Sequence, residues 1–197
     1  MIEVFRETGA LLEGHFVLSS GLHSETYLQC AIALESPEIA ARFAAVIAER
    51  FQKDNIQTVT SPAIGGIIIG YEVARHLKAR FIWTEREEGR MILRRGFTVQ
   101  KADRVLVVED VITTGGSTRE TINALREAGA EVVAAASIID RSGGKVDVGV
   151  PVFSLATLEA PAVPAADCDA CERGEAAIKP GSRKTEGRKQ KAESGEL

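Results

Sequence analysis

The sequence predicts an α/β fold in which a central, mostly parallel sheet is flanked by helices. Short aliphatic runs alternate along the 197 residues with longer segments whose apolar residues recur at helical spacing. This alternation favours parallel strand pairing with right-handed crossovers. Ligands of such sheets bind at the carboxyl ends of the strands, where three polar or glycine-rich segments are expected: 61–66, 109–117 and 140–144.

Local patterns predict the individual elements. Apolar residues at helical spacing predict a helix over 2–13, a second from Pro37 to Phe51 and a third that carries residues 71–77. Aliphatic and β-branched runs predict strands at 58–60, 79–84, 105–108, 132–139 and 152–158. One more helix is expected to begin at a capping box, Ser117–Glu120, and to end at Gly129.

The most informative segment is 105–118. Four aliphatic residues are followed by Glu109 and Asp110, then by Thr-Thr-Gly-Gly-Ser and a helical pattern. The backbone N–H groups and hydroxyls of residues 113–117 can surround a phosphate, because glycines let the loop curl at a helix N-terminus. The two carboxylates can accept hydrogen bonds from sugar hydroxyls. A ribose 5-phosphate would satisfy both halves of the segment.

This segment resembles the signature of the phosphoribosyltransferases, which bind phosphoribosyl pyrophosphate (PRPP). The whole motif matches, and the Gly-Lys-Ser/Thr of a P-loop does not follow it. The resemblance spans roughly residues 1–180 and looks closest to a shorter bacterial or archaeal branch of the orotate phosphoribosyltransferases. It implies a type I phosphoribosyltransferase fold over residues 1–178, with a small N-terminal hood contributed by about 1–35 and 150–178.

The resemblance also implies a reaction, the Mg²⁺-dependent transfer of ribose 5-phosphate from PRPP to orotate. This pentosyltransferase step of pyrimidine biosynthesis gives orotidine 5′-phosphate and pyrophosphate. Glu109, Asp110 and Arg86 would be catalytic, with Arg86 contributed by the partner subunit of a homodimer. Mg²⁺ would be held more by ligand and water than by dedicated side chains. The implied PRPP-binding residues are Ile64, Gly65, Arg86, Glu109, Asp110, Val111, Ile112, Thr113, Thr114, Gly115, Gly116 and Ser117.

Two segments bear on the base. Residues 14–30 resemble the hood of the orotate enzymes, and Arg141 follows the strand predicted at 132–139. A guanidinium is the natural fork for the carboxylate of orotate. The resemblance therefore implies that Arg141 binds orotate together with Thr113, Tyr27 and Leu28. A purine or uracil phosphoribosyltransferase, which is one alternative, would not need Arg141.

The sequence departs from the better-known orotate enzymes, whose mobile loop carries several lysines and a histidine. The corresponding stretch, 84–96, is shorter and contains neither residue type. Ile64 and Gly65 stand where that branch has a pyrophosphate-loop lysine, and Ser19 replaces another lysine. The candidates for the missing positive charge are Arg90, Arg94 and Arg95, although the last two would equally suit the flanks of a β-hairpin.

Cys168 and Cys171 have the spacing of zinc ligands, but the chain lacks a second cysteine pair. His15, His23 and His76 are too scattered in the sequence to indicate a site. We therefore expect reduced thiols and no metal ligands among the side chains, while a dimer offers one route to a second cysteine pair.

Charge indicates a boundary near residue 179. Residues 179–197 contain six Lys or Arg, three Glu and no aromatic residue, whereas the remaining 18 basic and 25 acidic residues give a net charge of −7. This composition predicts a disordered basic tail, and the acidic body argues against a nucleic-acid partner. The tail is the feature that favours the other alternative, a PRPP-sensing regulator with little turnover.

The sequence predicts a cytoplasmic protein that does not enter membranes. Its apolar runs are too short for a membrane span, and its first residues lack the basic start and apolar stretch of a signal peptide. Three cysteines do not form a disulfide framework.

Overall fold

A computed structural model describes residues 2–18, 20–158 and 162–180. Its contacts divide the chain into a larger unit, residues 1–12 and 28–160, and a smaller unit, residues 13–27 and 161–197. Ser19 lies outside the described residues. Residues 181–197 of the predicted tail also lie outside them, so the disorder of the tail stays a prediction.

The chain begins with a short helix that is followed by a two-stranded sheet. These elements are α1 (Ile2–Glu7), β1 (Leu11–Val17) and β2 (His23–Leu28). The prediction of one helix over 2–13 is therefore wrong beyond residue 7. The Thr8 hydroxyl donates to the Val4 carbonyl at 2.8 Å, and Gly9 adopts a φ of +68° that redirects the chain into the strand.

The larger unit contains a six-stranded sheet whose order is β5-β4-β3-β6-β7-β8. Its pairs are parallel except for the antiparallel hairpin of β4 and β5. The predicted mostly parallel sheet flanked by helices is thus confirmed. The remaining elements are α2 (Cys30–Ala33), α3 (Pro37–Phe51), β3 (Thr58–Pro62), α4 (Gly66–Leu77), β4 (Arg80–Glu87), β5 (Arg90–Leu93), β6 (Arg104–Ile112), α5 (Gly116–Glu127), β7 (Glu131–Asp140), β8 (Val152–Thr157) and α6 (Asp169–Glu172).

The ends of two helices test the predicted caps. Helix α3 starts at the predicted Pro37, and the Ser36 hydroxyl accepts a hydrogen bond from the N–H of Ile39 at 3.4 Å. Helix α5 is capped by Gly115, which has no capping side chain, so the predicted Ser117–Glu120 capping box is wrong. The chain enters α5 through the left-handed residue Gly115, two positions before the N-cap that the box requires. The predicted end is confirmed, because Gly129 has a φ of +95°.

Two apolar clusters pack within the larger unit. One includes Phe43 and Ile47 of α3 with Val73 of α4, and the other includes Ile122 and Leu125 of α5. The parallel register of β3, β6 and β7 brings the carboxyl ends of these strands to the same edge of the sheet. None of the described helices combines the length and the apolar character needed to cross a membrane. The cytoplasmic location stays a prediction.

Candidate active site

Glu109 and Asp110 lie near the carboxyl end of β6, which continues through both carboxylates to Ile112. Glu109 is 9% exposed, and its burial, together with the neighbouring charge of Asp110, raises its pKa well above the ordinary carboxyl value. Burial also raises the pKa of Asp110, while the N–H of Val111 donates to Oδ1 of Asp110 at 2.9 Å. The strand therefore holds two carboxylates in a poorly solvated position.

Gly65 and Gly66 press against this acidic pair. A Cβ added at Gly65 would lie 2.7 and 2.8 Å from the two carboxylate oxygens of Asp110. A Cβ added at Gly66 would lie 2.8 Å from the Val108 carbonyl oxygen and 3.0 Å from Oε2 of Glu109. The structure thus brings the segment at Gly65 to the acidic pair. The backbone carbonyl of Val108 requires glycine at position 66, whereas a Cβ at position 65 would force the Asp110 side chain to shift. The neighbouring Ile64 is 83% exposed.

The loop between β6 and α5 completes this edge of the larger unit. Thr113 and Thr114 are exposed, and Gly115 is buried with a φ of +72°. A Cβ on Gly115 would lie 2.6 Å from Val146 and 2.7 Å from Val148. Glycine is therefore needed both for the left-handed turn and for the close approach of the loop to these valines. The other predicted residues of the segment follow the chain: Val111 and Ile112 end β6, and Gly116 and Ser117 begin α5.

Arg141 stands in the loop that follows β7. Its N–H donates to the carbonyl of Ile112 at 2.8 Å, which joins this loop to the end of β6. The Asp140 carboxylate shapes the turn by accepting hydrogen bonds from the N–H groups of Ser142 at 2.7 Å and Gly144 at 2.9 Å. Burial and the charge of Asp110 raise the pKa of the Cys30 thiol, whereas the Arg141 guanidinium lowers it. The positive charge of Arg141 therefore acts on the same region as the acidic pair.

Three arginines in or beside the β4–β5 hairpin, Arg86, Arg94 and Arg95, are paired with carboxylates. Arg86 lies 2.8 Å from Oε2 of Glu120 on α5 and donates to the Gly89 carbonyl at 2.6 Å. Arg94 pairs with Glu85 at 3.5 Å and with Glu87 at 3.3 Å. Arg95 also bonds to Glu85, and this hydrogen bond lowers the pKa of the Glu85 carboxyl. Arg94 and Arg95 were considered either as a source of positive charge for the ligand or as residues flanking a β-hairpin. The structure supports the second interpretation.

Comparison with known proteins identifies the family. The model of the "Phosphoribosyl transferase domain" matches residues 32–165. The chain is 52% identical over 186 residues to the orotate phosphoribosyltransferase of Carboxydothermus hydrogenoformans, covering 93% of this chain and 97% of that one. It is 54% identical over 181 residues to the Thermotoga maritima enzyme of the same name, covering 92% and 97%. The chain belongs to the orotate phosphoribosyltransferase family.

Solved structures agree with this family. Orotate phosphoribosyltransferase from Aeropyrum pernix superposes with a TM-score of 0.67 and 30% identity, over 80% of this chain and 93% of that chain. An adenine phosphoribosyltransferase from Rhodothermus marinus has a TM-score of 0.62 at 23% identity, over 80% and 100%, and this likeness concerns the fold alone. The predicted resemblance, the type I phosphoribosyltransferase fold and the assignment as a pentosyltransferase are confirmed.

Two residues predicted to line the orotate pocket fall in different units of this phosphoribosyltransferase. Leu28 is buried in the main apolar cluster of the larger unit. Tyr27 belongs to the smaller unit, where its ring centroid lies 5.8 Å from that of Phe16. Both assignments to orotate stay predictions.

Sequence reasoning missed one cluster of polar side chains. His15, His23, Cys168 and Cys171 bring their ligand atoms within 4.8 Å of one another in the smaller unit. The expectation that the histidines are too scattered is wrong for His15 and His23, because the sheet of β1 and β2 brings them together. The Cys-x-x-Cys spacing was the available signal. The two histidines could not be assigned to it from the sequence, because they lie far from the cysteines along the chain.

Proposed function

We propose that the protein transfers a 5-phosphoribosyl group from PRPP to orotate. The bond between the anomeric carbon and the pyrophosphate oxygen breaks, and a bond to a ring nitrogen of orotate forms. The observation that carries the proposal is the convergence of the acidic pair, Gly65 and the loop 113–117 at one edge of the sheet. Relatives that cover more than nine tenths of this chain and bear the orotate name support the choice of base.

The acidic pair suits a ribose with positive charge developing at its anomeric carbon. Glu109 and Asp110 supply acceptors for the 2′ and 3′ hydroxyls. In its ionised form each carboxylate interacts strongly with the developing positive charge, because both groups are shielded from water. The N-terminus of the twelve-residue helix α5, with the hydroxyls of Thr113 and Thr114, suits the 5′-phosphate. Orotate is already an anion, so the reaction needs positioning and electrostatic stabilisation more than a strong general base.

Mg²⁺ is the proposed cofactor. The oxygen-rich pair Glu109 and Asp110 fits a hard cation, which these residues would hold through the ribose hydroxyls and water. When bound, Mg²⁺ neutralises charge on the diphosphate. We assign stabilisation of the leaving pyrophosphate on the protein side to Arg86, which must exchange its contact with Glu120 for the ligand.

A homodimer with a shared active site is supported by an exposed apolar face on α4. Ile68 and Tyr71 are 48% and 58% exposed, and they line a groove with Phe81, Trp83 and Phe97. Helix α4 follows directly from the glycines that contact the acidic pair, so a second copy seated in this groove would lie beside the catalytic residues. A contiguous apolar patch of this kind typically marks a protein interface.

Ultraviolet absorbance at the orotate band tests the proposed reaction directly. Purified protein should remove this band only when PRPP and Mg²⁺ are both present, while hypoxanthine, adenine and uracil stay unchanged in parallel assays. Turnover of another base with orotate inert would overturn the choice of substrate. Binding of PRPP without turnover of any base would favour a regulator.

A matched pair of variants tests the role of Arg141. Arg141→Gln should raise the KM for orotate by about 10–100-fold, the loss expected for a charge-assisted fork to a carboxylate. Arg126→Gln is the control, because this exposed arginine bonds to the carbonyl of Gly149 away from the acidic pair. Equal effects of the two changes on the KM would remove the assigned role of Arg141.

A further inference from the structure

Two histidines and two cysteines converge within the smaller unit. His15 lies on β1, His23 begins β2, Cys168 precedes α6 and Cys171 lies on α6. Their four ligand atoms all lie within 4.8 Å of one another, and His15, His23 and Cys168 are buried. We propose that these four side chains bind one Zn²⁺ ion, which stabilises the smaller unit.

The distances between the ligand atoms suit a tetrahedral ion. Zn–N bonds of about 2.0–2.1 Å and Zn–S bonds of about 2.3 Å place a tetrahedral nitrogen and sulfur about 3.5–3.6 Å apart. Nε2 of His15 lies 3.5 Å from Sγ of Cys168 and 3.6 Å from Sγ of Cys171. Nδ1 of His23 lies 3.2 Å from Sγ of Cys171. The two nitrogens are 2.7 Å apart and must separate by about 0.6 Å, a shift within reach of a ring rotation.

A backbone carbonyl sets the tautomer of His15 that metal binding needs. Nδ1 of His15 lies 2.9 Å from the carbonyl oxygen of Glu175. A carbonyl oxygen only accepts, so Nδ1 carries the proton and Nε2 of the neutral ring directs its lone pair into the cluster. Donation from the second ring nitrogen to a carbonyl is the usual support of a histidine that ligates a metal.

Backbone hydrogen bonds join the histidine segment to the cysteine segment on both sides of the cluster. The N–H of Ile178 donates to the His15 carbonyl at 2.8 Å, and the N–H of Val17 donates to the Ile178 carbonyl at 2.9 Å. His23 and Val163 exchange two further bonds of 2.8 and 2.9 Å. Val163 and Ile178 flank the cysteines in sequence, so the backbone presents all four side chains to one point.

The smaller unit has little apolar material with which to stabilise itself. Within its described residues, the buried apolar side chains are Phe16, Cys168 and Ala170. Both apolar clusters of the protein consist of residues from the larger unit. Units of this size without a sufficient core usually need a metal or disulfides. The buried centre of this unit is the cluster of metal-binding groups.

The ligand set selects zinc and a structural role. Two thiolates with two imidazoles form the Cys₂His₂ set that zinc takes in closed, four-coordinate sites. All four positions come from the protein, which leaves no open position for a substrate. The site therefore differs in chemistry and in place from the carboxylates of the larger unit. The competing arrangement is a metal-free network in which the thiols and imidazoles hydrogen-bond to one another.

Metal content of the purified full chain tests the proposal. The protein, prepared with reductant and with zinc in the growth medium, should contain about one zinc per chain. Cys171→Ser and His23→Ala should lose most of it. Cys30→Ser and His76→Ala are matched controls outside the cluster and should keep it. Zinc that is absent from the unmodified chain, iron in its place, or retention by the cluster variants would each overturn the proposal.

Cobalt provides a second measurement that does not depend on the folding of any variant. Zinc should be removed from the unmodified chain with a chelator and replaced by Co²⁺. A tetrahedral site with two thiolates should give intense visible bands and a thiolate-to-metal band in the near ultraviolet. Restored metal should also raise the protection of amides in residues 13–27 and 162–180 against hydrogen exchange. A weak, octahedral cobalt spectrum or unchanged protection would contradict the assignment.

Discussion

Glu109 and Asp110 occupy consecutive positions of β6, and burial raises the pKa of both carboxyl groups. Asp110 is the less buried of the two, and one of its oxygens already accepts a hydrogen bond from the N–H of Val111. Its charge is therefore available to a ligand, while the charge of Glu109 is more strongly suppressed. The two residues should respond differently to loss of charge.

Asp110→Asn should lower kcat by about 10–100-fold while changing the KM for PRPP less. A charge-assisted hydrogen bond of about 1.5–3 kcal/mol is lost mainly where positive charge develops in the transition state. Steady-state kinetics with varied PRPP measures the two parameters. Glu127→Gln, a change at an exposed position of α5, is the control. Unchanged turnover in Asp110→Asn would show that the acidic pair has another role.

Glu109→Gln should stabilise the fold while lowering activity. Since the pKa of Glu109 is raised in the folded chain, the folded state keeps a proton that the unfolded chain releases above about pH 4. The destabilisation from Glu109 therefore grows as pH rises from there through the raised pKa. The gain in Tm on substitution should be larger at about pH 8 than at about pH 5. An equal gain at both pH values would contradict the assigned burial effect.

The acidic pair and its loop were predictable from the sequence because they are consecutive residues with a distinctive chemistry. The contacts of Gly115 with Val146 and Val148 were not, since packing between loops leaves no local pattern. The same limit applies to His15 and Cys168, which contribute to one cluster although they are 153 positions apart.

At the scale of elements, α4 approaches β3 unusually closely. Gly70 is buried in α4, and a Cβ there would collide with the Ser61 hydroxyl and lie 2.7 Å from the ring of Phe81. Rotation of the serine would relieve the first contact and leave the second. This close approach positions α4, whose N-terminal glycines contact the acidic pair. Packing of α4 against the sheet therefore supports the geometry of the site.

Gly70→Ala should destabilise the protein by about 1–3 kcal/mol, the range for overpacking a well-packed interior. For a chain of this size the Tm should fall by roughly 2–4 °C per kcal/mol. Gly116→Ala is the stability control, because a Cβ at that helical position would meet nothing nearer than 3.7 Å. Thermal unfolding followed by circular dichroism compares the two. A Tm for Gly70→Ala as high as that of the control would refute the close approach.

Elements were predictable where the local pattern and the packing agree. Helix α3 and the buried strands follow their apolar periodicity. The helix predicted over 2–13 is confirmed as far as Glu7. Beyond that residue the prediction was wrong, because the apolar residues after Gly9 suit a strand equally well. The capping box was wrong because a glycine turn that packs against neighbouring valines starts α5 earlier.

At the scale of the whole molecule, the exposed face of α4 predicts self-association. Ile68→Asp should convert the proposed dimer to a monomer in light scattering coupled to gel filtration, because a charge would be buried in an apolar interface. Its kcat should fall with the loss of the partner's Arg86. Val46→Asp is the control, since Val46 is 47% exposed on α3 and Ile68 is 48% exposed. An unchanged mass for Ile68→Asp would exclude this face as the interface.

The smaller unit draws on two segments that lie far apart in the sequence, residues 13–27 and 161–197. On the ribosome these segments emerge at opposite ends of synthesis. Residues 28–158, which contain the six-stranded sheet, are contiguous and can fold while the remainder is still being made. Cys168 and Cys171 are synthesised long after His15 and His23, so the four side chains cannot come together until translation is nearly complete. The smaller unit is therefore the last part of the nascent chain to fold.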